Sequence, residues 1–226
     1  MEPQHSWADS PFIGMCIRPR ETIRAIVDRN PREGVILLVA GGSFVIAMLS
    51  WAASPNPGVF KIGGETIPLL DPHTMRLAAF AGMFVWPALA VVFLYINGAY
   101  FQWLGGLLGG TATAVEVRAA LAWSYVPVVA MNLVTAPIAL FTGMPAHAPQ
   151  TAAETMAYAQ SLVPLALVTI PLEIWCVVVW LKAFGEVHRF STLRALGASL
   201  IGLALAAAGL IVIAVAAAAI FGTMLK

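Results

Sequence analysis

The sequence predicts an all-α membrane protein, a bundle of five transmembrane helices with short interfacial helices at its N-terminus and a small hairpin in an outer loop. Three observations predict it. Hydrophobic residues make up 60% of the 226-residue chain and charged ones only 10%, against about 25% charged in an ordinary soluble domain. Five apolar stretches run almost without charge for about 20 residues or more, the length a helix needs to cross hydrocarbon while satisfying its own backbone. The balance of 12 Lys+Arg against 11 Asp+Glu lacks the concentrated positive field that gathers phosphates, so no nucleic-acid partner is expected.

Residues 1–34 read as a cytoplasmic amphipathic segment. A cleaved secretory signal would place its apolar core earlier than Val35, where the first hydrophobic run begins, so this run is expected to be an uncleaved anchor. In Ser10-Pro11 and Arg18-Pro19 a proline stands where the first turn of a helix tolerates it, and Asn30-Pro31 ends the second of the two helices that these prolines open. Both helices are short and interfacial. In the second, Ile23, Ile26 and Val27 can face lipid while Arg20, Arg24 and Asp28 face water, with arginines suited to anionic headgroups. The segment is either a charged collar that fixes topology or a surface for lipid or a partner protein. For the second role the candidates are Arg20, Arg24, Ile23 and Val27.

Residues 35–226 form the expected transmembrane domain, with spans near 35–53, 77–104, 121–141, 162–184 and 196–221. The second is long enough to tilt, or to break where Gly105-Gly106 and Gly109-Gly110 begin. This glycine stretch lacks the Lys-Ser/Thr of a phosphate loop and comes after a span, so it reads as a flexible turn leading into a helix near Thr113. Between the first two spans, Gly63-Gly64 between β-favouring residues predicts a tight hairpin. The loop over 142–161, with His147 and Glu154, and the pair Asp71 and His73 read as solvated. No ligand spacing there calls for a metal or cofactor. Cys16 and Cys176 are expected at different depths, without a disulfide. Ala198, Gly202 and Ala206 at four-residue spacing allow close helix packing, within the chain or between copies in a homo-oligomer. Nine Lys and Arg flank one side of the spans and three the other. By the positive-inside rule the N-terminus is cytoplasmic and the C-terminus outside, in a cell inner (plasma) membrane.

Glu173 is the acidic side chain expected near mid-bilayer, where it must be protonated, paired or beside water. If the helices adjoin, Asn97, Asn132, Thr169 and Glu173 form one polar cluster, usable as a proton or cation relay or simply as hydrogen bonds between helices. Prolines 87, 127, 137, 164 and 171 offer kinks to three spans. At the cytoplasmic end of the fourth span, Glu186 reaches Lys182 and Arg189 at helical spacing, and Glu116 with Arg118 can face it from a neighbouring turn. With His188 these make a charge network. No nucleophile or metal partner stands near His188, and neither His-Glu-x-x-His nor Gly-x-Ser-x-Gly occurs, so the chain is not expected to be an enzyme.

Three stretches, together with the five spans, carry a family resemblance. They are residues 18–31, opening Arg18-Pro19-Arg20-Glu21-Thr22; residues 115–127, with Val115-Glu116-Val117-Arg118 and Trp123-Ser124-Tyr125-Val126-Pro127; and Ile174-Trp175 through His188-Arg189-Phe190-Ser191. Over about residues 15–222 the chain resembles the Ypt-interacting-protein (Yip-domain) family in its bacterial form. The resemblance implies an integral membrane protein of five helices. Eukaryotic members are linked to Rab-type GTPases and vesicle traffic and carry an Asp-Leu-Tyr-Gly-Pro motif. This chain has nothing like that motif, so GTPase binding is not carried over. Two functions stay open: a non-enzymatic membrane organiser that binds lipid or partner proteins, and a small proton, cation or solute transporter or channel working through Glu173.

Overall fold

The computed structural model describes residues 10–53, 60–62, 65–67, 72–142 and 151–224. In chain order the elements are α1 (Pro11–Ile17), α2 (Pro19–Arg29), α3 (Val35–Ala53), β1 (Phe60–Ile62), β2 (Glu65–Ile67), α4 (Pro72–Leu107), α5 (Ala114–Trp123), α6 (Tyr125–Thr142), α7 (Ala152–Ser161), α8 (Val163–Val187) and α9 (Thr192–Met224). Five segments are long and apolar enough to cross a membrane: α3, α4, α5 joined to α6, α8 and α9. This is an all-α membrane fold whose one described sheet is the β1–β2 ribbon, paired antiparallel with Lys61 opposite Thr66. The Gly63-Gly64 turn expected there, like His147 and Asp71, lies outside the described residues.

Prolines open α1 and α2 as expected, each in the first turn. Gly34, at φ 70, turns the chain from α2 into α3. The spans are apolar on nearly every face, and much of that surface is exposed, as lipid-facing helices require. The extreme is α9, where residues 203–216 are exposed all round. It is held near its start, where the Tyr100 hydroxyl donates to the Gly202 carbonyl at 2.6 Å.

The core sits at the end of the bundle that carries α1 and α2. Met15, Ile23 and Ile26 pack there with Val35, Val39, Leu94, Trp123 and Val179 over a bed of alanines that includes Ala119, Ala120 and Ala183. Ile23 and Ile26, expected to face lipid, are 0% and 3% exposed inside protein, and Val27 is half-buried against the same core. The correction has a local cause: alanines on α5 and α8 leave room for α2 to settle onto the bundle itself. Full burial of a side chain such as Ile23 contributes about 1.5–3 kcal/mol. A ring contact between Phe12 and Trp123, 5.5 Å between centroids, fixes α1 beside it.

Three boundaries differ from expectation. Instead of breaking at Gly105-Gly106, α4 continues to Leu107 and ends with Gly109 at φ 82, where the Gly110 N–H donates to the Gly105 carbonyl at 2.8 Å. The third span begins with α5, earlier than residue 121, and is interrupted at Ser124. Pro127 has no N–H for the Trp123 carbonyl one turn back, which weakens the helix at that point. Part of the 142–161 loop is the helix α7, capped by Thr151, whose hydroxyl accepts from the Glu154 N–H at 3.1 Å.

Candidate functional site

The densest polar chemistry lies where α2 crosses the ends of α5 and α8. Helix α8 stops in a tight turn: the His188 N–H donates to the Phe184 carbonyl at 3.2 Å and the Phe190 N–H to the Gly185 carbonyl at 2.6 Å. Arg189 between them takes the left-handed conformation, φ 59. That turn presents Glu186 to α2. Its side chain is only 11% exposed, it pairs with Arg24, and Arg20 stands 3.9 Å away. Arg20 passes over Gly185, where no side chain obstructs it, and donates to the Phe190 carbonyl at 3.2 Å and the Thr192 hydroxyl at 3.1 Å. One arginine thus ties α2 to both sides of the turn between α8 and α9.

Around this clamp is a polar cavity of about 570 Å³, walled by Arg20, Arg24, Asp28, Glu116, Glu186 and Arg189, with Val27, Val187 and Phe190 as its apolar part. The charge network expected here is rewired. Glu186 pairs with the α2 arginines rather than with Lys182 and Arg189; the helix ends after Val187, so the chain turns away before Arg189. Glu116 caps α5 in a reciprocal box: its Oε2 accepts from the Thr113 N–H at 2.6 Å and hydroxyl at 2.7 Å. Arg118 lies over the Tyr95 ring, 4.6 Å from its centroid. Lys182 has no ion pair among the described residues.

His188 belongs to packing. It is 1% exposed, its ring edge-on to Phe184 at 4.7 Å and stacked on Phe190 at 5.3 Å. Gly105 and Gly110 rest against the imidazole so closely that a Cβ at either would overlap it. The glycine stretch expected to be a flexible turn is therefore a fitted cradle. Arg194 closes it by donating to the Leu108 carbonyl while lying over the Phe190 ring at 4.8 Å. Neither imidazole nitrogen has a hydrogen-bond partner. Burial pushes the His188 pKa below its ordinary value, opposed by the weaker pull of Glu116 and of the Phe101 backbone. Cys16 on α1 is an unpaired thiol whose pKa burial raises, and Cys176 is likewise unpaired.

The intramembrane polar residues do not gather into one cluster. Asn97 donates to the Phe93 carbonyl at 2.8 Å, Asn132 to Val128 at 2.9 Å and Thr169 to Leu165 at 3.0 Å, each one turn back on its own helix. Asn132 and Thr169 do share a cavity of about 170 Å³ between α3, α6 and α8, together with Ser50 and Thr135, which sequence reasoning missed. Asn97, on α4, and Glu173 do not line it. Glu173 is exposed on α8 in a row with Leu167, Ile170, Ile174 and Val177, and has no partner among the described residues. A larger apolar groove of about 480 Å³ between α3 and α4 has Arg76 as its one charged wall. Ser50 and the indoles of Trp51 and Trp86 are the other polar groups on its wall, and it contains no second charge.

No curated protein and no solved structure matches the chain. The Yip1 domain family model matches residues 13–222, from α1 through nearly all of α9. That range takes in both N-terminal helices, the arginine clamp and all five spans, and the chain belongs to the Yip1-domain family.

Proposed function

We propose that this Yip1-domain protein is a non-enzymatic membrane organiser that binds lipid or partner proteins through the pocket under α2. The observation that carries the reading is the convergence of Arg20 and Arg24 on Glu186 beside a polar cavity at the ends of the spans. Such a site is a rigid, charged surface at headgroup level, with no nucleophile and base in reach of one another to make it catalytic. The excess of Lys and Arg on this side supports a cytoplasmic N-terminus, an outside C-terminus and residence in a cell inner membrane. A C-terminal reporter active only in the cytoplasm is expected to stay silent, and a signal would overturn the orientation.

The test is the double variant Arg20→Ala/Arg24→Ala in the full chain. It is expected to insert normally yet lose partner recovery or the membrane phenotype of the wild type. Unchanged behaviour would overturn the reading. Transport has less support, since Glu173 stands apart from the polar cavity of Asn132 and Thr169. Proton or cation flux into liposomes that disappears in Glu173→Gln would restore it.

A further inference from the structure

We propose that the pocket under α2 holds the phosphoethanolamine headgroup of a membrane phospholipid, an assignment that rests on reading this pocket as a binding surface. The reasoning starts from which charges the fold leaves open. Arg20 and Arg24 are engaged with Glu186, and Arg20 also with Phe190 and Thr192. Arg189 lines the same cavity, and its guanidinium has no partner among the described residues; the Asp28 carboxylate on α2 has none either. Glu116, which also walls the pocket, engages Thr113 through Oε2, and its Oε1 has no hydrogen-bond partner among the described residues.

Outside the clamp stand one cation and two carboxylates, in a lining whose three arginines and three carboxylates balance, and a ligand must satisfy both signs. A simple anion would suit Arg189 but would face Asp28 and Glu116 as like charges. A bare cation would leave Arg189 unmatched. A phosphate monoanion joined by two carbons to a primary ammonium meets both requirements: the phosphate takes the planar guanidinium fork, and the ammonium donates charge-assisted hydrogen bonds to the carboxylates. A choline headgroup has no N–H to donate, so the pocket discriminates against it. A glycerol headgroup brings no positive charge at all.

Depth points to a lipid rather than to a dissolved ligand. Beside α2, the walls come from the last turn of α8 with the residues after it and from the first turn of α5, the ends of two candidate spans at Val187 and Ala114, which is where phospholipid headgroups lie. Val27, Val187 and Phe190 give the glycerol and first methylenes an apolar bed. At about 570 Å³ the cavity falls within the roughly 300–1,000 Å³ common for small-molecule sites.

The experiment is native mass spectrometry of the full chain in detergent, titrated with phosphatidylethanolamine, phosphatidylcholine and phosphatidylglycerol of identical acyl chains, and with free O-phosphoethanolamine. Phosphatidylethanolamine is expected to bind at least tenfold tighter than the other two lipids. Asp28→Asn should bring it down to the phosphatidylcholine level. Arg189→Gly, a residue that suits the left-handed backbone there, should weaken all three lipids. Both side chains are exposed and lie outside the Arg20–Arg24–Glu186 clamp, so the fold should be kept. Equal binding of the ethanolamine and choline lipids, or a preference for phosphatidylglycerol, would overturn the proposal. Free O-phosphoethanolamine binding as tightly as the lipid would overturn the bilayer as its source. If no lipid is retained but a protein partner is still lost in Arg20→Ala/Arg24→Ala, the headgroup assignment fails while the organiser reading stands.

Discussion

Acid should destabilise this protein through His188. The imidazole is 1% exposed, wedged between Phe184 and Phe190 and against two glycines, with no hydrogen-bond partner for either nitrogen. Protonation inside that site would bury a charge that Glu116 and the Phe101 backbone offset only in part, which is why the folded-state pKa lies below the ordinary 6.5. The sign comes from proton linkage. Between the folded pKa and 6.5 the unfolded chain binds the proton and the folded chain does not, so stability rises with pH across that window. The contribution is fully present above 6.5 and is lost as the pH falls through the window toward the folded pKa, at a limiting slope of about 1.4 kcal/mol per pH unit. Reversible unfolding in mixed detergent at constant ionic strength, monitored from pH 7.5 downward, gives that slope for the wild type. In His188→Leu, which fills the same apolar site without titrating, this part of the slope should vanish. Carboxylates also titrate at the acid end, and the difference between the two proteins removes their share. Identical pH slopes in wild type and His188→Leu would refute the reasoning.

Glu186→Ala should loosen α2 by about 1–2 kcal/mol, less than the 3–5 kcal/mol for breaking a buried pair, because Arg24 and Arg20 are 68% and 40% exposed and can turn to water. Hydrogen exchange over residues 19–29 reads it, and unchanged protection there would count against the clamp. Ile23→Ala, at a position 0% exposed, should cost about 2–5 kcal/mol of global stability; a loss too small to measure would mean that α2 is not docked in solution. Gly105→Ala should destabilise by driving a Cβ into the imidazole, and His188→Ala should relieve much of that cost in the double variant, a coupling that a mutant cycle detects. Glu173→Leu should raise stability in a bilayer, since a charged side chain at the centre of a span costs about 2.5–3.5 kcal/mol on insertion scales; a fall in stability would reveal a partner for this carboxyl.

The spans, their number and the two N-terminal helices were legible in the sequence because hydropathy and proline placement are local properties. Residues 35–53 could be read as a span without knowing what lies beside them. The docking of α2 was not legible in the same way. Its apolar face of Ile23 and Ile26 fits lipid and protein equally well on a helical wheel, and the deciding feature is a bed of alanines nearly a hundred residues or more further on. Glu186 shows the same limit: its partners stand at separations of 162 and 166 residues, beyond any helical spacing rule. By contrast α7 was available locally. Thr151-x-x-Glu154 repeats the spacing of Thr113-x-x-Glu116, near which a helix start was expected, but the residues after it are polar and alanine-rich.

The polar residues within the spans show most clearly where reading a sequence by chemistry alone goes astray. Asn97, Asn132 and Thr169 were grouped with Glu173 because each is costly in hydrocarbon, on the assumption that they would satisfy one another. A short side chain on a helix has a nearer solution, the carbonyl one turn back, and all three take it. That bond meets the Thr169 hydroxyl proton and one N–H of each asparagine without a polar partner across the bundle. Glutamate has that recourse only when protonated, since an ionised carboxylate only accepts and the helix interior offers it no free N–H. Of the four, Glu173 alone makes no such bond among the described residues, and its exposed position on α8 turns the carboxyl away from the bundle and toward whatever lies against this face of the protein in the membrane.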